Sequence, residues 1–311
     1  MPLTVGIAGI TGKFARSVVA DLLKHPGIKI RGYSRDPTKL SPAISSSPLV
    51  HLVQGEANNF DALRSFAKGA DVVICCYLGD NQLMLDGQKY FIDACEVEGV
   101  KRYIASDYSL DFTKLEFGQL PGKDPMKYIK EYLETKNVKG VHVLIGVFME
   151  TLWSRFFGLW DESKTGFAFW GTGEEAWAST TYANAAEYVA EVALDEKAVG
   201  VKRFLGDQKT TRQIAELFEG TYGKKPVLEN LGSLDDLYKH MHKTRQNNPE
   251  NIFSWLPLFY HFYCLNGQAY ISDALDNQEY ATIKPVAFHD FMTVNKLEAL
   301  AVAQGNVGAN I

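Results

Sequence analysis

Three glycines recur at every third position in Gly6-Ile7-Ala8-Gly9-Ile10-Thr11-Gly12. A short apolar run (Leu3, Val5, Ile7) precedes them, and Phe14, Val18, Val19, Leu22 and Leu23 follow at helical spacing. Strand, glycine turn and helix in that order form a cradle for phosphate. A tight turn needs positions without a Cβ. The helix that starts behind it aims backbone N–H groups and a positive dipole end at whatever lies over the turn. Gly6, Gly9, Ile10, Thr11, Gly12 and Phe14 are therefore read as residues around a pyrophosphate, and a Cβ at Gly9 is expected to intrude on it. The competing reading is an ordinary strand-to-helix turn that is rich in glycine.

A second chemical constellation follows at Ser34-Arg35-Asp36-Pro37-Thr38-Lys39. In a dinucleotide fold the end of the second strand meets the adenosine ribose. An acid there binds the 2′-hydroxyl of NAD, and an arginine accommodates the 2′-phosphate of NADP. Ser34 and Arg35 stand at that point, with Lys39 close behind, which selects NADP(H). Asp36 precedes a proline and reads as a turn or cap residue. The alternative for Arg35 and Lys39 is a solvated loop.

These residues need a frame. Strands are predicted over 28–33, 49–53, 71–78, 100–105 and 141–147. Helices are predicted over 60–68, 82–98 and 125–135. The run 71–78 (DVVICCYL) is apolar without interruption, as in a parallel strand buried on both faces. Strands alternating with helices at this rhythm mean a Rossmann-type doubly wound parallel sheet, an α/β fold. Ligands of such sheets sit beyond the carboxyl ends of the strands. That rule gathers Gln54 and Gly55, Tyr77, Leu78 and Gly79, Ser106 and Tyr108, and Phe148 into one crevice with the glycine turn and Arg35.

Beyond residue 150 the rhythm breaks. Trp153, Phe156, Phe157 and Trp160 read as a helical aromatic stripe. Helices are expected over 182–194, 211–220 and 233–244, a strand over 202–206, and a proline-bounded aromatic tail over 253–263. The division that follows is a nucleotide-binding unit over 1–150 and a smaller mixed α/β substrate lobe over 151–311 that returns to the sheet. His240 and His242 read as a solvated helix face, and His261 and His289 as core.

The net charge of −5 over 311 residues offers no basic face for nucleic acid. No apolar run reaches membrane-spanning length, and with residue 3 read as already in a strand, no leader is expected. Cys75, Cys76, Cys95 and Cys264 lack ligand spacing. No metal site is expected, and a reduced, cytoplasmic protein is.

The glycine fingerprint, Ser34-Arg35 with Lys39, and Gly99-Val100-Lys101-Arg102-Tyr103-Ile104-x-Ser106 together resemble the NmrA-like and isoflavone-reductase-like branch of the short-chain dehydrogenases. The likeness continues in Pro125-Met126-Lys127 and in Asn277-Gln278-Glu279-Tyr280 with Lys284-Pro285-Val286. On the helix before the sixth strand, where the superfamily carries its Tyr-x-x-x-Lys pair, the match is Tyr132 and Lys136, too late in its helix to face a nicotinamide. The resemblance instead implies that Lys127 is the superfamily lysine, with Lys123 where the tyrosine would stand. Lys127 then binds ribose hydroxyls and gives or relays a proton, with Ser106 and Tyr108 as secondary donors. The competing reading of Lys127 is a solvated helix lysine.

The function implied is NADPH-dependent reduction of a hydrophobic, aromatic small molecule: a carbonyl, an enone or a benzylic ether. The alternative is a non-catalytic NADP(H) sensor of the NmrA type acting through protein partners. Neither reading involves nucleic acid or membrane.

Overall fold

In the computed structural model, which describes residues 2–271 and 274–300, the first half alternates strand and helix. The elements are β1 (Leu3–Ala8), α1 (Lys13–Leu22), β2 (Ile28–Ser34), α2 (Pro42–Ser45), β3 (Val50–Gln54), α3 (Phe60–Ala67), β4 (Val72–Cys75), α4 (Gln88–Val97), β5 (Arg102–Ile104), α5 (Asp124–Glu134) and β6 (Lys139–Leu144). The second half holds β7 (Val147–Phe148), β8 (Trp160–Asp161), β9 (Gly166–Phe169), β10 (Ala176–Thr180), α6 (Tyr182–Leu194), β11 (Gly200–Arg203), β12 (Asp207–Thr210), α7 (Thr211–Tyr222) and β13 (Val227–Asn230). It closes with α8 (Leu234–Asn247), α9 (Ile252–Leu265), α10 (Phe288–Val294) and α11 (Leu297–Leu300).

Seven strands form one parallel sheet in the order β11-β6-β5-β4-β1-β2-β3, the doubly wound Rossmann-type arrangement. The Val72, Val73, Ile74 and Cys75 side chains of β4 are fully buried, which is why that run is apolar without a break. Ala8, at the end of β1, pairs with Tyr33 on one side and Cys75 on the other. The glycine turn therefore leaves the sheet between the tips of β2 and β4.

The second half returns to this sheet. β11 adds to the edge of β6, and α6 packs on α1. The contact joins Ala15, Val18, Val19 and Leu22 to Ala185, Ala186, Val189 and Ala193, all in one core on one face of the sheet. Alanines on α6 let the two helices approach closely. Arg102 secures the join: its buried guanidinium donates to the Val192 and Ala193 carbonyls at 2.9 and 2.6 Å, capping the end of α6.

Four predicted elements change. The expected helix over 82–98 opens as a π-helix, Gln82–Gly87, before α4. Gln88 fixes that register. Its buried amide donates to the Met84 carbonyl while its Oε1 accepts from the Ser106 N–H and the Tyr103 hydroxyl. The strand expected over 141–147 is two strands, because Gly146 at φ 71 passes the chain into the β12-β10-β7 sheet. A Cβ at Gly146 would lie 2.2 Å from the Ala178 carbonyl. The aromatic stripe is a 3-10 turn, Met149–Trp153, followed by β8, since Trp153, Trp160, Phe167 and Phe218 pack as a cluster across elements. The aromatic tail is α9, with Pro257 inside it and Trp255, Phe259 and His261 buried. His289 is exposed, because Phe288 and Phe291 take the inner face of α10.

Candidate active site

The glycine turn is bolted to its neighbours. Gly9 and Ile10 N–H both donate to the Tyr33 carbonyl, at 2.9 and 3.2 Å, and Gly12 N–H donates to the Gly9 carbonyl at 2.9 Å. Gly9 has φ +73, and a Cβ there would lie 2.8 Å from the Cys76 carbonyl oxygen. The methyl expected to intrude on a pyrophosphate thus meets the protein's own backbone first. Gly6 is confined likewise, with a Cβ falling 2.9 Å from Val73 Cγ2 and 3.0 Å from Phe66 Cζ. Gly12 is different. It precedes α1 in an extended conformation, provides no side-chain cap, and a Cβ would approach only the Gly9 carbonyl, at 3.2 Å. Ile10 is buried, and the Thr11 carbonyl accepts from Arg16 Nη1 at 3.1 Å.

At the tip of β2, Ser34 is buried and its Oγ has no hydrogen-bond partner. Buried polar groups ordinarily find a partner, and this hydroxyl finds none within the protein. Arg35 beside it is exposed, with its carbonyl held by Gln54 Nε2 at 2.9 Å, and the Ser34 carbonyl takes the Gly55 N–H at 3.1 Å. Gly55 itself leaves room for Tyr33 Oη, which a Cβ would meet at 2.2 Å. Lys39 is also exposed, and Asp36 caps its own turn by accepting from Thr38 N–H.

At the tips of β4 and β5 the hydroxyl groups are already engaged. Ser106 Oγ donates to the Tyr77 carbonyl at 2.6 Å, and Tyr108 Oη donates to the Cys75 carbonyl at 2.9 Å. Burial pushes the Tyr108 phenol well above its ordinary pKa. Both residues lace β5 to β4. Tyr77 is buried with its own Oη unpartnered, Leu78 is 65 % exposed, and Gly79 lies under Leu83. Phe14 packs on Tyr108 at 4.5 Å between centroids, and Phe148 lies flat on Tyr182 at 3.9 Å. These four rings form an aromatic wall beside the turn. Behind it Glu150 accepts the Tyr182 N–H with both oxygens, and burial raises its pKa. Burial lowers that of Lys13, whose ammonium sits 4.7 Å from the Tyr182 ring centroid.

Lys127 lies on the second turn of α5, half-buried. Its Nζ donates to the Leu115 carbonyl and sits 4.8 Å from the Phe117 ring centroid. Tyr132 and Lys136, at the far end of α5, both bind Asp93 of α4, at 2.7 Å each, and Lys136 also reaches Glu96. They clamp two helices together.

Two polar pairs, each built on a buried acid, carry no sequence signal. His142 Nδ1 lies 2.6 Å from Asp107 Oδ2, and Asp111 pairs with Arg203 Nε at 2.9 Å. Each joins residues far apart in the chain and lacks motif spacing, so only the folded topology reveals it. In the second half, a cavity of about 470 Å³ is lined by Phe156, Trp170, His240, Phe253 and His261 among others. Among the described residues no His, Cys, Asp or Glu group could hold a metal ion, and no helix is long and apolar enough to cross a membrane.

A family model described as the NmrA-like family matches residues 1–284. No curated protein sequence matches. Among solved structures, an isoflavone reductase superposes with TM-score 0.77 at 19 % identity, covering 94 % of this chain and 99 % of that one. AtPrR2 with NADP+ and (+)-pinoresinol gives 0.78 at 18 % identity, covering 94 % and 99 %. An NADPH-dependent quinone oxidoreductase from Escherichia coli gives 0.69 at 18 %, covering 92 % and 98 %. Likeness at these identities establishes the fold.

Proposed function

The chain belongs to the NmrA-like family, and from that premise we propose that it is an NADPH-dependent reductase of a hydrophobic, aromatic small molecule. The observation that carries the cofactor reading is Ser34. Its buried Oγ lacks a partner, beside an exposed Arg35, where a 2′-phosphate would sit. The start of α1, without a side-chain cap, fits the pyrophosphate. Bound NADPH would supply the hydride. The chain's own part is to hold the phosphates at the glycine turn and Arg35, to exclude water with the Phe14, Tyr108, Phe148 and Tyr182 wall, and to deliver a proton from Lys127. The nucleotide-binding work then falls to residues 1–150, and the aromatic lobe beyond provides the apolar environment for substrate. The solved structures it resembles include proteins named for NADP+ or NADPH, pinoresinol and quinone.

One observation favours a second reading. Ser106, Tyr108 and Lys127 all donate to backbone carbonyls. A protein whose candidate proton donors are so occupied could bind NADP(H) as a sensor and act through partner proteins. The deciding experiment follows NADPH absorbance with a panel of aromatic carbonyls, enones and benzylic ethers. Oxidation of NADPH with substrate reduction supports the enzyme. Tight NADPH binding without turnover across the panel supports the sensor, and no NADPH binding overturns both.

A further inference from the structure

β13 stands at the end of the β13-β9-β8 sheet, with no strand beyond it among the described residues. The Val227 N–H donates to the Thr165 carbonyl at 3.1 Å and the Leu231 N–H to the Phe169 carbonyl at 2.8 Å. Peptide groups alternate along a strand, so Val227, Glu229 and Leu231 turn toward β9 while Leu228 and Asn230 turn outward. Among the described residues, the backbone N–H and C=O groups of Leu228 and Asn230 have no hydrogen-bond partner. The Asn230 side chain is committed elsewhere, donating to the Gly171 carbonyl and accepting the Gly232 N–H.

Proteins ordinarily blunt such a rim with lysine, proline, a bulge or a covering segment. The four residues of β13, Val-Leu-Glu-Asn, contain neither lysine nor proline. Its apolar side chains are instead in the open: Val227 is 52 % exposed, Leu228 41 % and the following Leu231 40 %. Charge is sorted along the segment. Lys224 and Lys225 precede the strand and Asp235 follows it at the head of α8, all three exposed and none in an ion pair among the described residues.

We infer that β13 pairs antiparallel with β13 of a second copy of this chain, with Leu228 on the twofold axis. In that register each Leu228 exchanges both backbone bonds with the other Leu228. Each Asn230 N–H meets the Pro226 carbonyl of the other copy. An axis at Glu229 would set two carboxylates face to face, which is destabilising. An axis at Val227 would leave the Leu228 carbonyl opposite Pro226, which has no N–H to give. The two Leu228 side chains meet across the axis, and the antiparallel sense carries Lys224 and Lys225 of one copy toward Asp235 of the other. A strand of unrelated sequence would match the backbone and forfeit this charge pairing. The two sheets then join into one, and the pairing is independent of the reductase reading.

The test is analytical ultracentrifugation of the full chain between about 1 and 100 μM, with amide hydrogen exchange at both ends of the range. The dimer share should rise with concentration. The Leu228 and Asn230 amides should be protected in the concentrated sample and exchange freely in the dilute one. The Glu229 and Leu231 amides, bonded within the sheet, should be protected in both. Leu228→Pro should be monomeric and still folded, because an edge strand accepts proline where the N–H faces out. If it does not fold, Leu228→Lys, which sets like charges on the axis, should be monomeric in its place. Lys224→Glu with Lys225→Glu should weaken the dimer about tenfold, and adding Asp235→Lys should recover part of that loss. Val97→Lys, at an exposed position of α4, should leave the dimer intact. A wild type that is monomeric at about 100 μM overturns the inference, and protected Leu228 and Asn230 amides in that monomer would mean that another part of this chain covers the rim. A dimer that survives both Leu228 variants overturns it as well.

Discussion

Gly9 presses against the Cys76 carbonyl so closely that an added Cβ would sit 2.8 Å from the oxygen, at a backbone φ of +73. The turn over which a pyrophosphate would lie is therefore shaped first by the residue that follows strand β4. Gly9→Ala is expected to lower stability by about 1–3 kcal/mol, the usual cost of a residue forced into such a conformation, read from urea unfolding. Gly12→Ala makes only a 3.2 Å contact. It should stay near wild type in stability while weakening NADPH binding. A Gly12→Ala protein with unchanged NADPH affinity would remove the phosphate from the head of α1.

Arg35 is exposed and its backbone is fixed by Gln54. A 2′-phosphate needs a cation. Wild type should bind NADPH at least tenfold more tightly than NADH, about 1.4 kcal/mol, and Arg35→Ala should erase most of that gap. Equal affinities in wild type would sink the assignment. Ser34→Ala, which removes the orphaned hydroxyl, should weaken NADPH more than NADH.

Lys127→Ala should slow hydride transfer in a single turnover by about 10²–10⁴, the usual range for a proton donor. Lys127→Arg should not restore it, because a guanidinium does not release its proton near neutrality. Tyr132→Phe removes the hydroxyl that donates to Asp93 and should leave hydride transfer intact while costing about 1 kcal/mol of stability. An inactive Tyr132→Phe with a normal Lys127→Ala would move the chemistry to the other end of α5.

His261 is buried, its Nε2 donates to the Phe157 carbonyl at 2.8 Å, and burial depresses its pKa to about 4. The unfolded chain takes up this proton near pH 6.5, whereas the folded chain resists until about 4. The stability tied to neutral His261 is thus whole above 6.5 and is lost as pH falls toward 4, amounting to about 3 kcal/mol over that interval. Urea midpoints should decline across this range in wild type and less steeply in His261→Gln. Parallel slopes would mean that the imidazole is hydrated in the fold.

The sequence was most legible where local pattern and tertiary role coincide. β1, its glycine turn and α1 announce themselves because spacing alone encodes them. So does β4, buried on both faces. Caps were readable too: Asp36, read as a turn or cap residue before Pro37, accepts from the Thr38 N–H. Legibility failed where distant residues set local shape. Gln88 opens its helix wide because the tip of β5 needs its carbonyl. Trp153 and Trp160 leave helical spacing unused because they pack on Phe167. The same holds for single residues: nothing in the string around Lys123 or His142 reveals that either side chain is buried.

The join between α6 and the first half bears on how this protein can be divided. A chain stopped at residue 150 would present the hydrogen-bonding rim of β6 to any passing strand, since β11 normally occupies it. It would also bare Val18, Val19 and Leu22 of α1 and leave the Arg102 guanidinium buried against nothing. Such a fragment invites self-association. A soluble cofactor-binding piece for biophysical work would have to extend through Arg203, so that the nucleotide unit takes the strand and helix it borrows from the far half.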